Sequence, residues 1–84
     1  MKTDFNFPLS EMTPGSEAVV VSTDASGSIG RRLQDLGLLP GTRVRLIRRA
    51  SLGDPAVYEL RGYRLCLRRS ECEQVVVHAA QAAP

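Results

Sequence analysis

At 84 residues, 43% hydrophobic and 24% charged, the sequence supports one domain, which on folding hides about 60–65% of the surface its unfolded form exposes. No apolar run approaches the roughly 20 residues that span a bilayer, and the opening MKTDFNFPLSEM lacks the apolar stretch of a secretory leader, so a cytoplasmic chain with no membrane span is expected. The net charge of +2 hides an asymmetry: ten of the eleven basic residues lie between Arg31 and Arg69 against only Asp35, Asp54 and Glu59, ten positive against three negative giving +7, which suits an acidic partner surface.

Residues 1–8 read as a lead-in. Thr13-Pro14-Gly15-Ser16 and Leu39-Pro40-Gly41-Thr42 both read as type II turns feeding strands, because proline presets φ at the first central position and glycine accepts positive φ at the second. The strands that follow carry Val19-Val20-Val21 and Thr42 to Ala50. Between them, Asp24 to Ser28 is turn-rich and leads into the one convincing helix, Ile29 to Gly37. Ile29, Leu33 and Leu36 share a face at i, i+4 and i+7, Ser26 or Ser28 caps the start, Gly37 supplies the left-handed stop, and Leu38 folds back onto the apolar face. Gly30 costs this helix about 1 kcal/mol relative to alanine, so it is expected to be short and held by packing.

Ser51 to Pro55 breaks the chain into a loop, and Ala56 to Arg61 with Tyr63 to Leu67 makes a hairpin about Gly62. Leu65 and Leu67 alternate with Arg64, Cys66 and Arg68, so one face of that strand is buried. Ser70-Glu71-Cys72-Glu73 fits a capping box and predicts one helical turn before a last strand, Val75 to His78, with residues 79–84 as a flexible tail. About five short strands, one short helix after the first and one helical turn before the last make a mostly β fold, a small SH3-like barrel over residues 9–78.

Catalytic chemistry is hard to assemble from these residues. The sole histidine, His78, stands near the end of the chain, and Gly27-Ser28-Ile29-Gly30 is too short for a phosphate-binding loop and lacks its lysine, so no enzyme is expected. Cys66 and Cys72 are expected as free thiols, and their six-residue spacing with His78 does not supply the four ligands of a structural zinc site. Cys66 is read as a strand residue and Cys72 as a small filler beneath the helical turn. No cofactor is required; a divalent metal at a surface or oligomer contact would draw on Cys72 or His78, each giving half a site. Arg43, Arg45 and Arg49 alternate along one strand and form either a solvated outer face or a binding surface. Nucleic acid is disfavoured there because Phe5, Phe7, Tyr58 and Tyr63 form no stacking stripe.

The ordered set Leu9-x-x-Met12-x-x-Gly15, Arg32-Leu33-x-x-Leu36-Gly37-Leu38-x-Pro40-Gly41 and Leu52-Gly53-Asp54-Pro55 resembles the FeoA family, ferrous iron transport protein A. The resemblance runs from about Leu9 to Val77 and takes in Gly62, Leu65-x-Leu67-Arg68 and Val75-Val76-Val77. It implies a cytosolic SH3-like accessory protein that binds the ferrous iron permease FeoB, whose cytosolic part includes a GTP-binding domain, and modulates its transport or GTPase cycle. Recruitment to the inner face of the membrane through the permease, and self-association, are further expectations. The same barrel resembles the C-terminal domain of DtxR-type repressors, but no DNA-binding or metal-sensing domain is expected in front of it here, which favours the transporter role.

Most motif residues have structural explanations: Gly37, Gly41 and Gly53 at turns, Leu33, Leu36 and Leu38 in the core, Pro40 and Pro55 at chain reversals. The expected partner contacts are therefore exposed residues beside them, namely Arg31, Arg32, Leu39, Arg43, Leu52 and Asp54, with Leu39 and Leu52 as apolar anchors ringed by arginine. The competing readings are a small nucleic-acid-binding barrel and a metal-bridged homodimer that senses divalent ions.

Overall fold

The computed structural model describes residues 5–80. Six strands, β1 (Asn6–Pro8), β2 (Glu17–Thr23), β3 (Arg43–Arg49), β4 (Ala56–Leu60), β5 (Tyr63–Leu67) and β6 (Val75–Ala79), form one antiparallel sheet in the order β1-β6-β2-β3-β4-β5. Helix α1 (Ser28–Asp35) joins β2 to β3, the short α2 (Arg69–Cys72) joins β5 to β6, and a 3-10 turn, Leu9–Glu11, follows β1. The sheet wraps around a core in which Leu9, Leu33, Leu38, Leu46, Tyr58, Val75 and Val77 are fully buried. It stays open between β1 and β5.

Six strands replace the expected five because Asn6–Pro8, read as lead-in, pairs with His78, Val77 and Val76 of β6. Strand β6 runs one residue further than expected, and the Ala80 N–H donates to the Glu17 carbonyl. The rest of the tail, residues 81–84, lies outside the described residues.

Both proline-glycine turns form as expected. The Ser16 N–H returns to the Thr13 carbonyl at 2.9 Å and the Thr42 N–H to the Leu39 carbonyl at 3.0 Å, with Gly15 at φ 87° and Gly41 at φ 92°.

Helix α1 departs from the amphipathic reading in two ways. Its buried residues are Gly30 and Leu33, while Ile29 is 41% exposed. The N-terminal turn lies so close to the β2–α1 connection that a Cβ on residue 30 would fall 1.5 Å from the Asp24 carbonyl oxygen. Glycine is there for close approach, and it turns Ile29 away from the core. Neither serine caps the helix: the N-cap is Gly27, with no side-chain bond, and the Ser26 N–H instead donates to Asp24 Oδ1 at 3.0 Å. That bond, first, holds the Asp24 carboxyl below its usual pKa. At the other end Gly37 takes φ 111°, and the Tyr63 hydroxyl donates to the Leu36 carbonyl, one of the last helix acceptors that the backbone cannot fill.

Helix α2 begins earlier than the Ser70-x-x-Glu73 pattern suggests. Its N-cap is Arg68 and its third residue is Glu71, whose carboxylate accepts the Arg68 N–H at 2.8 Å. Arginine has no acceptor to return, so only half of a capping box forms.

Candidate functional site

Two bulges decide which side chains reach the surface. In β2 the register shifts between Val20 and Ser22, which lets Val20 and Thr23 both point inward and leaves Val21 exposed. Thr23 is satisfied there by donating to the Leu38 carbonyl at 2.7 Å. In β3 the shift falls between Leu46 and Arg48, so Ile47 is the extra residue and Arg49 turns to the same side as Ala56 and Tyr58. The expectation that Arg43, Arg45 and Arg49 share an outer face is therefore corrected. Arg49 is half-buried and donates to the Ser10 and Met12 carbonyls at 2.9 and 2.7 Å, tying the chain after β1 to the sheet.

Arg43 and Arg45 do lie on the outer face, but both are engaged. Glu17, across the β2–β3 pair, receives Arg43 at 3.1 Å and Arg45 at 2.9 Å. The hydrogen bond from Arg45, more than any other contact, holds the Glu17 carboxyl below its usual pKa. The row continues through Glu59 on β4, opposite Arg45, to Arg64 on β5, 3.8 Å from Glu59. A shallow groove of about 290 Å³ follows this row beside Arg61 and Gly62. A larger one, about 560 Å³, lies between Phe7, Met12, Ser16, Arg45 and Ala80.

The six expected contact residues divide into two groups. Leu39, 41% exposed, and Arg43 stand at the start of β3. Leu52, 93% exposed, is at the far end, and the strand rise separates the two leucines by about 20 Å. One anchor cannot include both. Leu52 instead belongs with the surroundings of α2. Its loop is closed by the Gly53 N–H on the Ala50 carbonyl at 2.7 Å and the Ala50 N–H on the Pro55 carbonyl at 2.9 Å. Asp54 accepts the Arg69 N–H at 2.9 Å, which makes it a fastener between this loop and α2. Arg32 of α1 pairs with Glu71 of α2, while the neighbouring Arg31 is exposed with no ionic partner among the described residues. The sequence reading passed over Arg68 and Arg69, both exposed beside Leu52's loop. The Arg68-Arg69 doublet is the signal in the sequence, masked by the cap-like pattern of Ser70 to Glu73 that follows it.

Cys72 and His78 do not converge. The Cys72 thiol faces inward and donates to the Tyr58 hydroxyl oxygen at 3.3 Å, while that hydroxyl donates to the Leu9 carbonyl at 3.4 Å. Burial pushes both groups' pKa values up. His78 lies against Asn6, with Nδ1 3.2 Å from Oδ1. Among the described residues no three His, Cys, Asp or Glu side chains come together as a metal site, and no helix is long and apolar enough to cross a membrane.

A family model described as the FeoA domain matches residues 7–79, from within β1 to the end of β6. The chain belongs to the FeoA family. Stenotrophomonas maltophilia FeoA complexed with zinc, described as a prokaryotic SH3 domain protein, is 36% identical with a TM-score of 0.77, over 84% of this chain and 88% of that one. The FeoA-like protein of Clostridium acetobutylicum superimposes with a TM-score of 0.85 at 28% identity, covering 100% and 95% of the two chains. These likenesses bear out the SH3-like fold. The Fe(2+) transport protein A/Fe(2+) transporter FeoB fusion protein of Porphyromonas gingivalis (strain ATCC BAA-308 / W83) is 30% identical over 69 residues. The match takes in 82% of this chain but only 8% of the fusion protein. Within the family motif, Leu33 and Leu38 are core residues and Gly37, Gly41 and Gly53 have positive φ, so the motif specifies the fold.

Proposed function

We propose that this FeoA-family chain is a cytoplasmic accessory of bacterial ferrous iron uptake that docks on the cytosolic part of a FeoB-type permease and modulates its transport or GTPase cycle. The observation that carries this reading is the Porphyromonas gingivalis relative, in which a similar domain and an FeoB transporter share one polypeptide. Physical linkage raises the effective concentration of two modules that work together, and separate chains must replace it with affinity. Leu52 is the apolar anchor of the docking surface, with Arg68, Arg69 and Arg31 steering an acidic partner.

The test is an affinity capture of the permease from membranes, with ferrous uptake measured in the same cells. Leu52→Asp, at a side chain with almost no internal contacts, is expected to keep the fold and reduce both capture and uptake at least tenfold. Leu39→Asp is expected to have a smaller effect. Wild-type chain that captures no permease, or Leu52→Asp that captures and supports uptake as wild type does, refutes the reading.

A further inference from the structure

Strand β5 closes one end of the sheet and has no neighbour on its outer side among the described residues. Its backbone polarity follows from the hairpin. Leu60 pairs with Tyr63 across a two-residue turn, so Tyr63, Leu65 and Leu67 exchange hydrogen bonds with β4, while the N–H and C=O groups of Arg64 and Cys66 point away from it. The next outward N–H, that of Arg68, confirms the alternation. It is taken by the Glu71 carboxylate at 2.8 Å. Arg64 and Cys66 are both exposed, and neither has a backbone partner outside the sheet ladder among the described residues.

The opposite edge is protected differently, since β1 is three residues long and ends in Pro8. β5 is five residues, contains no proline, and continues in extended geometry through Arg68 at φ −79° and ψ 156°. Its outward groups offer two donors and two acceptors about 7 Å apart along the strand. On the inner side of this edge Leu65 and Leu36 are half-buried against the core, and Tyr63 is partly exposed. On the outer side and at the ends stand Arg61, Arg64, Arg68 and Arg69.

We infer that the β5 edge is a strand-addition site for an extended partner segment in which apolar and acidic residues alternate. Backbone hydrogen bonds to Arg64 and Cys66 supply the docking, apolar side chains settle on Leu65 and Leu36, and carboxylates meet the arginines. Charge selects the occupant. A second copy of this chain, paired antiparallel about Leu65, would bring Arg61 of one strand opposite Arg69 of the other, whereas an acidic segment meets Arg61, Arg68 and Arg69 at the two ends of the edge and Arg64, shared with Glu59, between them. The Glu71 carboxylate on the Arg68 N–H, paired in turn with Arg32, is an internal example of the same recognition. This edge does not depend on the permease being the partner.

The experiment uses the intact chain labelled with 15N and a synthetic peptide, acetyl-Val-Glu-Val-Glu-Val-Glu-Val-amide, with the same peptide carrying lysine for glutamate as control. The acidic peptide is expected to shift the amide resonances of Arg64 and Cys66 and to slow their hydrogen exchange at least tenfold, while the lysine peptide does neither. Cys66→Pro removes one outward donor without touching the β4–β5 ladder, and it is expected to weaken binding at least tenfold at an unchanged unfolding midpoint. Arg64→Glu is expected to weaken it at least fivefold and provides a second variant should proline perturb the strand. The inference is overturned if the acidic peptide fails to bind, or if it binds without moving the Arg64 and Cys66 amides. It is also overturned if those amides shift with protein concentration alone, which would make the edge a contact between copies.

Discussion

Replacing Gly30 with alanine separates helix propensity from close packing, because the two predict opposite signs. Alanine in a helix interior is worth about 1 kcal/mol over glycine, so propensity alone predicts stabilisation. The geometry opposes it. The new Cβ falls 1.5 Å from the Asp24 carbonyl oxygen, 2.6 Å from the carbonyl carbon and 3.1 Å from Ala25 Cα, where ordinary contact starts at 3.4 Å. These are backbone atoms in a connection fastened by the Asp24 N–H on the Gln74 carbonyl at 2.8 Å and by Asp24 Oδ1 on the Ser26 N–H. The helix must therefore retreat by nearly the missing distance. Leu33, fully buried on α1, is withdrawn with it, and burial of such a side chain is worth about 1.5–3 kcal/mol. Residual overpacking adds about 1–3 kcal/mol. After the propensity gain, Gly30→Ala is expected to lose about 1.5–5 kcal/mol, a large part of the roughly 4–12 kcal/mol that a domain of this size has. Urea unfolding followed by circular dichroism reads this as a midpoint lowered by about 1–3 M. Gly27→Ser is the control: nothing lies within 4 Å of its Cβ position, and serine at the N-cap is expected to hold or slightly raise the midpoint. A Gly30→Ala midpoint equal to or above wild type would refute the argument from close approach.

Three further outcomes follow from the structure. Arg61 occupies the left-handed region at φ 52° beside Gly62 at φ 87°, a pair suited to Asn-Gly, so Arg61→Asn is expected to stabilise by about 0.5–1 kcal/mol and raise the thermal midpoint by about 2–8 °C. Ellman's reagent is expected to titrate Cys66 at once and Cys72 only on unfolding; because burial raises the folded Cys72 pKa above its ordinary 9.0, stability is complete below that value and declines as pH rises beyond it, a decline that Cys72→Ala lessens. The Glu17 pKa is lowered by its arginines, so its contribution is present above the ordinary 4.5 and is lost as pH falls through the folded value; an acid titration of the unfolding midpoint should show this slope flattened by Glu17→Gln and by added salt.

Local chemistry made much of the fold readable. Pro14-Gly15 and Pro40-Gly41 formed the expected turns because each residue meets a dihedral requirement of its own position. The β4–β5 hairpin was legible for the same reason, with Leu67 buried and Arg64 and Cys66 exposed in alternation. What the sequence hid were departures from period. The bulge at Ile47 turned Arg49 inward, and the bulge at Val21 placed buried Val20 and Thr23 three residues apart; in neither place does a glycine or proline announce the shift. The burial of Gly30 depends on where a preceding carbonyl lies, which residue spacing does not encode. Within the candidate site, Leu52 was identifiable as an apolar residue in a turn, while the distance between Leu39 and Leu52 required the intervening strand.

The +7 stretch changes meaning once its arginines are placed. Arg43 and Arg45 share Glu17, Arg64 faces Glu59, Arg32 pairs with Glu71, and Arg49 is spent on two carbonyls, so most of the β3 guanidinium groups that suggested a free basic face are already engaged. The guanidinium groups of Arg31, Arg48, Arg61, Arg68 and Arg69 form no ion pair among the described residues, although the backbone N–H groups of Arg68 and Arg69 are held by Glu71 and Asp54. Three of these five, Arg61, Arg68 and Arg69, flank β5, and Arg31 lies on the helix that reaches α2 through Arg32. Arg68 and Arg69 therefore stand beside the loop from which Leu52 projects, with Arg61 at the opposite end of β5. An acidic partner approaching along the field would arrive at a surface that also offers unpaired backbone groups and apolar contact, the combination that converts electrostatic encounter into a lasting complex. Charge reversal at Arg68 and Arg69 should consequently slow association and reduce its salt dependence, while Leu52→Asp should chiefly speed dissociation, a division that stopped-flow binding to the captured partner resolves.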